Sequence, residues 1–205
     1  MDALSRSKPA MIENRTFDEI WIGENSSIAR TLTQLDIDLF AVISGDLDPT
    51  NLDPVYADGD LYHQIIAPGM WGGALIAAVL NTKLPGPGTI YVSQDLHFHA
   101  VVSIGDTITT SVTVLYKKPE RQHVVFDCRC VNQNGWDVIT GRAEVRAPTD
   151  KVRRPAIELP DVRISHQRLA AVLAGGQGLP SGLPPLPKQR LSVACRRKPA
   201  GERSL

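Results

Sequence analysis

Between Ser44 and Asp53 the chain reads SGDLDPTNLD, which sets Asp46, Asp48 and Asp53 beside Asn51. Carboxylates this close support acid/base chemistry. If two of them are buried, like-charge repulsion would raise one pKa, so that one could stay protonated and act as an acid beside its ionised neighbour. Asn51 can orient a water through one acceptor and two donors, but it exchanges no proton near neutral pH. The same residues also serve as turn formers, because Asp beside Pro49 and Pro54 is common turn chemistry and Asn51 can cap the turn that Leu52 begins.

The remaining chemically capable side chains are scattered. His63 precedes an apolar stretch by a few residues and reads as a surface or interface residue, with replacement base as its lesser reading. His97 and His99 alternate on one face of a predicted strand, yet the sequence places no third ligand beside them, so no metal site is expected. Cys128 and Cys130 form a C-x-C pair without metal-ligand spacing. With Cys195 the count is three, and an odd number points to a reducing, intracellular compartment.

The elements that must position these groups follow from periodicity. SSIARTLTQ from Ser26 alternates as a strand. A helix follows, with Thr33 as N-cap, Gly45 as stop, and Leu35, Leu39, Val42 and Ile43 as its apolar stripe. Pro49 and Pro54 then predict a rigid loop without regular structure through Asp58. APGMWGGALIAAVLNTKLPG predicts a helix of about fifteen residues after Pro68, apolar on every face and therefore buried. Within it Gly72 and Gly73 each cost about 1 kcal/mol relative to Ala, a cost that implies close approach to the backbone.

Period-two alternation then predicts strands over Thr89 to His99, Thr107 to Lys117, Gln122 to Asn132 and Asp137 to Ala147. Ile108, Val112, Val114 and Tyr116 share a face of the second, and Val124, Phe126, Cys128 and Cys130 share a face of the third. One apolar helix followed by an antiparallel meander predicts a curved sheet wrapped around that helix, with an exposed edge that a second copy could cover.

The formal net charge is zero, but residues 1–150 carry 11 basic and 19 acidic side chains, while residues 151–205 carry 11 basic and 3 acidic ones. All 11 aromatic residues lie between Phe17 and Trp136, and 8 of the 15 prolines follow Ala147. The division is therefore a loose arm over 1–13, a folded body over 14–150, and a basic Pro- and Gly-rich tail over 151–205 that reads as disordered. The tail has no aromatic residue for base stacking, so nucleic-acid binding is not expected. The longest apolar run, Met70 to Leu80, has eleven residues against the ~20 of a membrane span, which gives a soluble, cytoplasmic reading.

SGDLDPTNLDPVYA, IIAPGMWGGAL, LPGPGTIYVSQDLHF and VSIGDTI, in that order, resemble the MaoC-like hot-dog dehydratase family, which includes (R)-specific enoyl-CoA hydratases. The likeness spans roughly residues 14–148. It is nearest to the hydratase half of bifunctional enoyl-CoA hydratase/phosphate acetyltransferase proteins, with a basic tail here where their second module stands. The resemblance implies an α+β hot-dog fold, an acyl-CoA substrate, a homodimer or higher homo-oligomer, and no cofactor beyond the coenzyme A of the substrate.

It further implies syn addition of water across a trans-2-enoyl-CoA to give an (R)-3-hydroxyacyl-CoA, or the reverse. Asp46 occupies the position of the family's catalytic aspartate. Asn51 stands five residues on, where the family has its histidine. The backbone N–H groups around Gly69, at the start of the central helix, would meet the thioester oxygen as it gathers negative charge. Asp48 replaces an asparagine and Pro68 replaces the histidine of a His-Gly pair; these two, with Met70, Trp71 and Gln94, would border the substrate. Losing half of an acid/base pair lowers a rate by a factor of ~10² to 10⁴. The missing imidazole therefore keeps two rival readings open: a non-catalytic acyl-CoA-binding or regulatory subunit, and an acyl-CoA thioesterase. Lys117, Lys118 and Arg121 are candidates for the coenzyme A phosphates.

Overall fold

Alternation along the second half of the body produces long strands, and the turn glycines between them set their ends. In the computed structural model, which describes residues 10–157 with 159, 162 and 164, the order is β1 (Met11–Glu13), β2 (Asn25–Thr31), α1 (Gln34–Ser44), α2 (Pro49–Leu52), α3 (Pro54–Gly59), α4 (Gly69–Thr82), β3 (Ile90–Phe98), β4 (Thr107–Lys118), β5 (His123–Val131), β6 (Asp137–Arg146) and β7 (Arg153–Pro155). Gly105 and Gly135 take left-handed φ values of 94° and 80° in the turns before β4 and β6, where a side chain would be strained.

Five strands form one antiparallel sheet in the order β2-β4-β5-β6-β3, leaving β2 and β3 as edges. The helix α4 packs on β4, β2 and β5, which is the expected α+β hot-dog arrangement. Ile108, Val112 and Val114 of β4, and Val124, Phe126, Cys128 and Cys130 of β5, point into the core with Ile76, Val79 and Leu80 of the helix. Full burial of each large apolar side chain contributes roughly 1.5–3 kcal/mol. Tyr116 departs from its expected face and is exposed, because the β4–β5 register shifts between Val114 and Tyr116.

The central helix is not covered all round. Met70 and Ala74 are exposed, while Trp71, Gly72, Gly73, Leu75 and Ile76 are buried, so an apolar composition did not guarantee a partner on every face.

Two further expectations are corrected. Pro49 and Pro54 begin helices instead of preventing them: each sits at the first position of its helix, where its missing N–H is no loss. Asp48 caps α2 by accepting from Thr50 N, and Asp53 caps α3 by accepting from Val55 N and Tyr56 N. Asn51 is therefore inside α2 and caps nothing.

In α1 the boundaries are as expected, with Thr33 as N-cap and Gly45 in the left-handed region, but the buried face differs. Leu35, Val42 and Ile43 are exposed, and Asp36, Ile37 and Ala41 are buried. An aspartate turns inward because Thr33 and Arg30 satisfy it: Thr33 N and Oγ1 donate to Oδ2 at 2.9 and 2.6 Å, and Arg30 pairs with Oδ1.

The arm and the start of the tail meet. The strands β1 and β7 pair antiparallel, so ordered backbone runs past the expected boundaries at 13 and 150. Asn14, fully buried, fastens the junction: its Nδ2 donates to Pro87 O and Asp150 O at 3.0 and 2.9 Å, and its Oδ1 accepts from Val152 N at 2.9 Å. Lys151 adds bonds from Nζ to Asn14 O at 2.7 Å and to Glu19 Oε2 at 2.8 Å. That ammonium is the main reason the Glu19 carboxyl is held down to about 2. The greater part of the expected tail, with Cys195, lies outside the described residues.

Candidate active site

The apolar helix α4 meets the sheet unevenly at its amino end, because Gly69, Gly72 and Gly73 present backbone where other residues would present side chains. A cavity of about 550 Å³ opens there. Pro68, Gly69, Trp71 and Gly72 form its helix side, and Ile108, Cys130, Val138 and Ile139 form its sheet side. The approach to the helix is fixed by backbone pairing: Ala67 N donates to Val102 O at 2.8 Å, and Ile66 bridges to Ser103.

At the tip of the helix the first backbone N–H groups have no preceding turn to bond to, and they carry the positive end of the helix dipole. Pro68 is the N-cap residue and brings no N–H of its own. A Cβ at Gly69 would stand 3.2 Å from Cε1 of Phe98, so glycine lets the aromatic ring lie directly on the helix tip.

The carboxylate loop lies beside this wall and is tied to it through Asn51. That side chain, only 6% exposed, donates from Nδ2 to Ile66 O at 2.7 Å. Asp46 is exposed and does not line the cavity; its Oδ1 accepts from Asp48 N at 3.3 Å, while its own N–H donates to Ser44 Oγ at 3.1 Å. The side chain of Asp48 is committed to the α2 cap.

Of the expected substrate-bordering residues, Pro68 and Trp71 line the cavity, and Gly69, expected to meet the thioester oxygen, lines it with them. Met70 is turned to solvent at 55% exposure, and Gln94 is exposed on edge strand β3. The structure thus gathers the helix-tip residues and sets the carboxylates apart from them within one chain.

The other candidates have their own partners. His63 holds a φ of 51° and hydrogen bonds through Nδ1 to Asp58 O at 2.7 Å. His99 borders the cavity, but its Nε2 is hydrogen bonded to Thr140 Oγ1 at 2.7 Å, on the side of β6 opposite Ile139. Lys117 Nζ donates to Phe17 O and Ile20 O at 2.6 and 2.7 Å, and Lys118 Nζ to Glu144 Oε2 at 2.8 Å, so both amines are engaged in holding the fold. Burial pushes the Cys128 thiol up to about 12 and the Cys130 thiol up as well, which removes both as nucleophiles.

Sequence reasoning missed Tyr62, Ile66, Phe98, Val138 and Ile139 as lining residues. The signal available for Ile139 was the pair of adjacent helix glycines, which announced a close neighbour without saying which strand supplied it.

This chain belongs to the MaoC-like domain family, whose pattern it matches over residues 23–132. It is 44% identical over 132 residues to the (R)-specific enoyl-CoA hydratase of Rhodospirillum rubrum, covering 64% of this chain and 91% of that protein. It is 34% identical over 139 residues to the 3-hydroxybutyryl-CoA dehydratase of Methylorubrum extorquens, covering 68% of this chain and 88% of that one. Among solved structures it resembles the unliganded R-hydratase PhaJ1 from Pseudomonas aeruginosa at 38% identity and a TM-score of 0.73, covering 76% of this chain and all of that one.

Proposed function

We propose that this protein is an (R)-specific enoyl-CoA hydratase, a lyase that adds water to a trans-2-enoyl-CoA and yields a 3-hydroxyacyl-CoA. The observation that carries this reading is the apolar cavity opening at the amino end of α4, in a chain 44% identical to an (R)-specific enoyl-CoA hydratase. An acyl chain fits such a cavity, and the helix tip suits a thioester oxygen that becomes negative as water adds. Coenzyme A belongs to the substrate, and no separate cofactor takes part.

In this reading Asp46 accepts the proton of the attacking water, because Asp48 and Asp53 are committed to helix caps and Asp46 is the carboxylate left over on the loop that Asn51 fastens to Ile66. Asn51 orients and does not titrate, so proton return falls to solvent or to a second carboxylate, and turnover is slower than with an imidazole. The functional unit is a homodimer joined along β3. That edge carries exposed Ile90, Val92 and Phe98, and Phe98 also stands at the cavity, so a partner paired there would shield the site from water.

The bifunctional hydratase/acyltransferase likeness belongs to the same proposal and concerns only the origin of the body. No helix among the described residues is long and apolar enough to cross a membrane, and a cytoplasmic setting is the corresponding proposal.

The test is direct. Purified full-length protein is mixed with crotonyl-CoA, and loss of the enoyl absorbance is followed alongside release of free thiol. Hydration without thiol release is the expected result; thiol release without hydration would make the protein a thioesterase.

A further inference from the structure

Ile139 closes the inner end of the cavity together with Ile108 and Cys130. The cavity runs from exposed Phe98 and Val101 inward to Ile108, Cys130 and Ile139, which are at most 2% exposed. On β6, Ile139 reaches into the notch that Gly72 leaves in α4: a Cβ added at Gly72 would stand 2.3 Å from the Ile139 Cδ1. The isoleucine tip thus fills space that any other residue at position 72 would need.

Behind that tip the strand carries little bulk. The next inward positions of β6 are Gly141 and Ala143, paired with Cys128 and Phe126 of β5. Gly141 has no room to grow, since a Cβ there would come within 2.1 Å of Asp95 O. On the helix, Gly73 follows Gly72. The Ile139 side chain is therefore the last large group of its strand before a stretch of small ones, and it stands where the cavity ends.

We propose that Ile139, wedged into the Gly72 notch, sets how deeply an acyl chain enters and confines the site to short acyl groups. This rests on the acyl-CoA hydratase reading of the site. No charged group lines the inner end, so the segment that enters must be hydrocarbon. Interiors are close-packed and yield little, so a chain one or two carbons too long is excluded instead of accommodated. Each further methylene that gains a buried place raises affinity by about fourfold.

The measurement is calorimetric binding of butyryl-, hexanoyl- and octanoyl-CoA to the full chain. Saturated thioesters cannot be hydrated, so the result does not depend on turnover. The wild type is expected to favour butyryl- over octanoyl-CoA. Ile139→Ala should raise the octanoyl-to-butyryl affinity ratio by about tenfold or more, and Ile139→Val should move it the same way by less. Gly72→Ala, which drives the isoleucine into the cavity, should move it the other way. Thermal melts identify which variants fold, and Ile139→Val keeps the test open should Ile139→Ala not fold. An unchanged ratio in a folded Ile139 variant overturns the depth assignment and leaves the hydratase reading standing. Failure of every acyl-CoA to bind the wild type overturns both.

Discussion

Asn51 and Ile66 are joined across 15 residues by a 2.7 Å hydrogen bond from the Asn51 amide to the Ile66 carbonyl, and through it the carboxylate loop is fixed to the wall of the cavity. Asn51→Ala removes the donor and leaves that carbonyl without its partner, so thermal or denaturant unfolding should show a loss of about 1–3 kcal/mol. Asn51→His restores a titratable group at the same place. Hydration of crotonyl-CoA should then rise by a factor of ~10² to 10⁴.

Asp46 contacts only its own loop and is exposed. Asp46→Asn should therefore abolish hydration while leaving the melting temperature within a degree or so, since surface changes of this kind stay within about 0.5 kcal/mol. A variant that keeps its activity would remove Asp46 from the reaction. Asp53→Ala provides the contrast: it removes the cap of α3 and should lower stability by about 0.5–2 kcal/mol without abolishing turnover.

Acid should loosen the segment that leads into the carboxylate loop. Burial pushes the Asp36 carboxyl up, but hydrogen bonds from Thr33 and Arg30 outweigh it and hold the group below the usual carboxylate range. Its folded value therefore lies below its unfolded value of ~3.9; the stabilisation is complete above that pH and disappears as the pH falls through the folded value. In Asp36→Asn, denaturant midpoints measured between about pH 2 and pH 6 should fall less steeply at the acid end than in the wild type.

Truncation should show how far the body depends on residues 151–157. A chain ending at residue 150 loses Lys151, Val152 and β7, and leaves buried Asn14 without two of its partners. Its melting temperature should drop by several degrees. A chain ending at residue 157 keeps all of these contacts and should melt several degrees above the chain ending at residue 150.

Most of the sheet was legible because period-two alternation fixes which face each side chain takes, and four inward residues of β5 in a row left little choice. The helix α4 was legible from Pro68 and the apolar run that follows. What periodicity could not supply was tertiary compensation. Asp36 is buried because Arg30 and Thr33 answer it, and Asn14 is buried because two segments distant in sequence converge on it.

The site was legible in part, and for a similar reason. Pro68, Gly69 and Trp71 sit together because they are neighbours on one helix turn. Ile139 is brought to Gly72 only by strand packing, a relationship no local spacing encodes. The two short helices after Ser44 were hidden by reading proline as a breaker, when at the first helical position it is an initiator.

The pairing of Met11–Glu13 with Arg153–Pro155, continued by Ala156 N donating to Ala10 O at 2.7 Å, means that the chain enters and leaves the body side by side. Such a unit is a cassette. A brief bridge from residue 156 back to residue 10 would close it into a ring that could be reopened at an exposed turn such as Asn134–Gly135, and the same unit could be spliced into a loop of another protein without stretching its host.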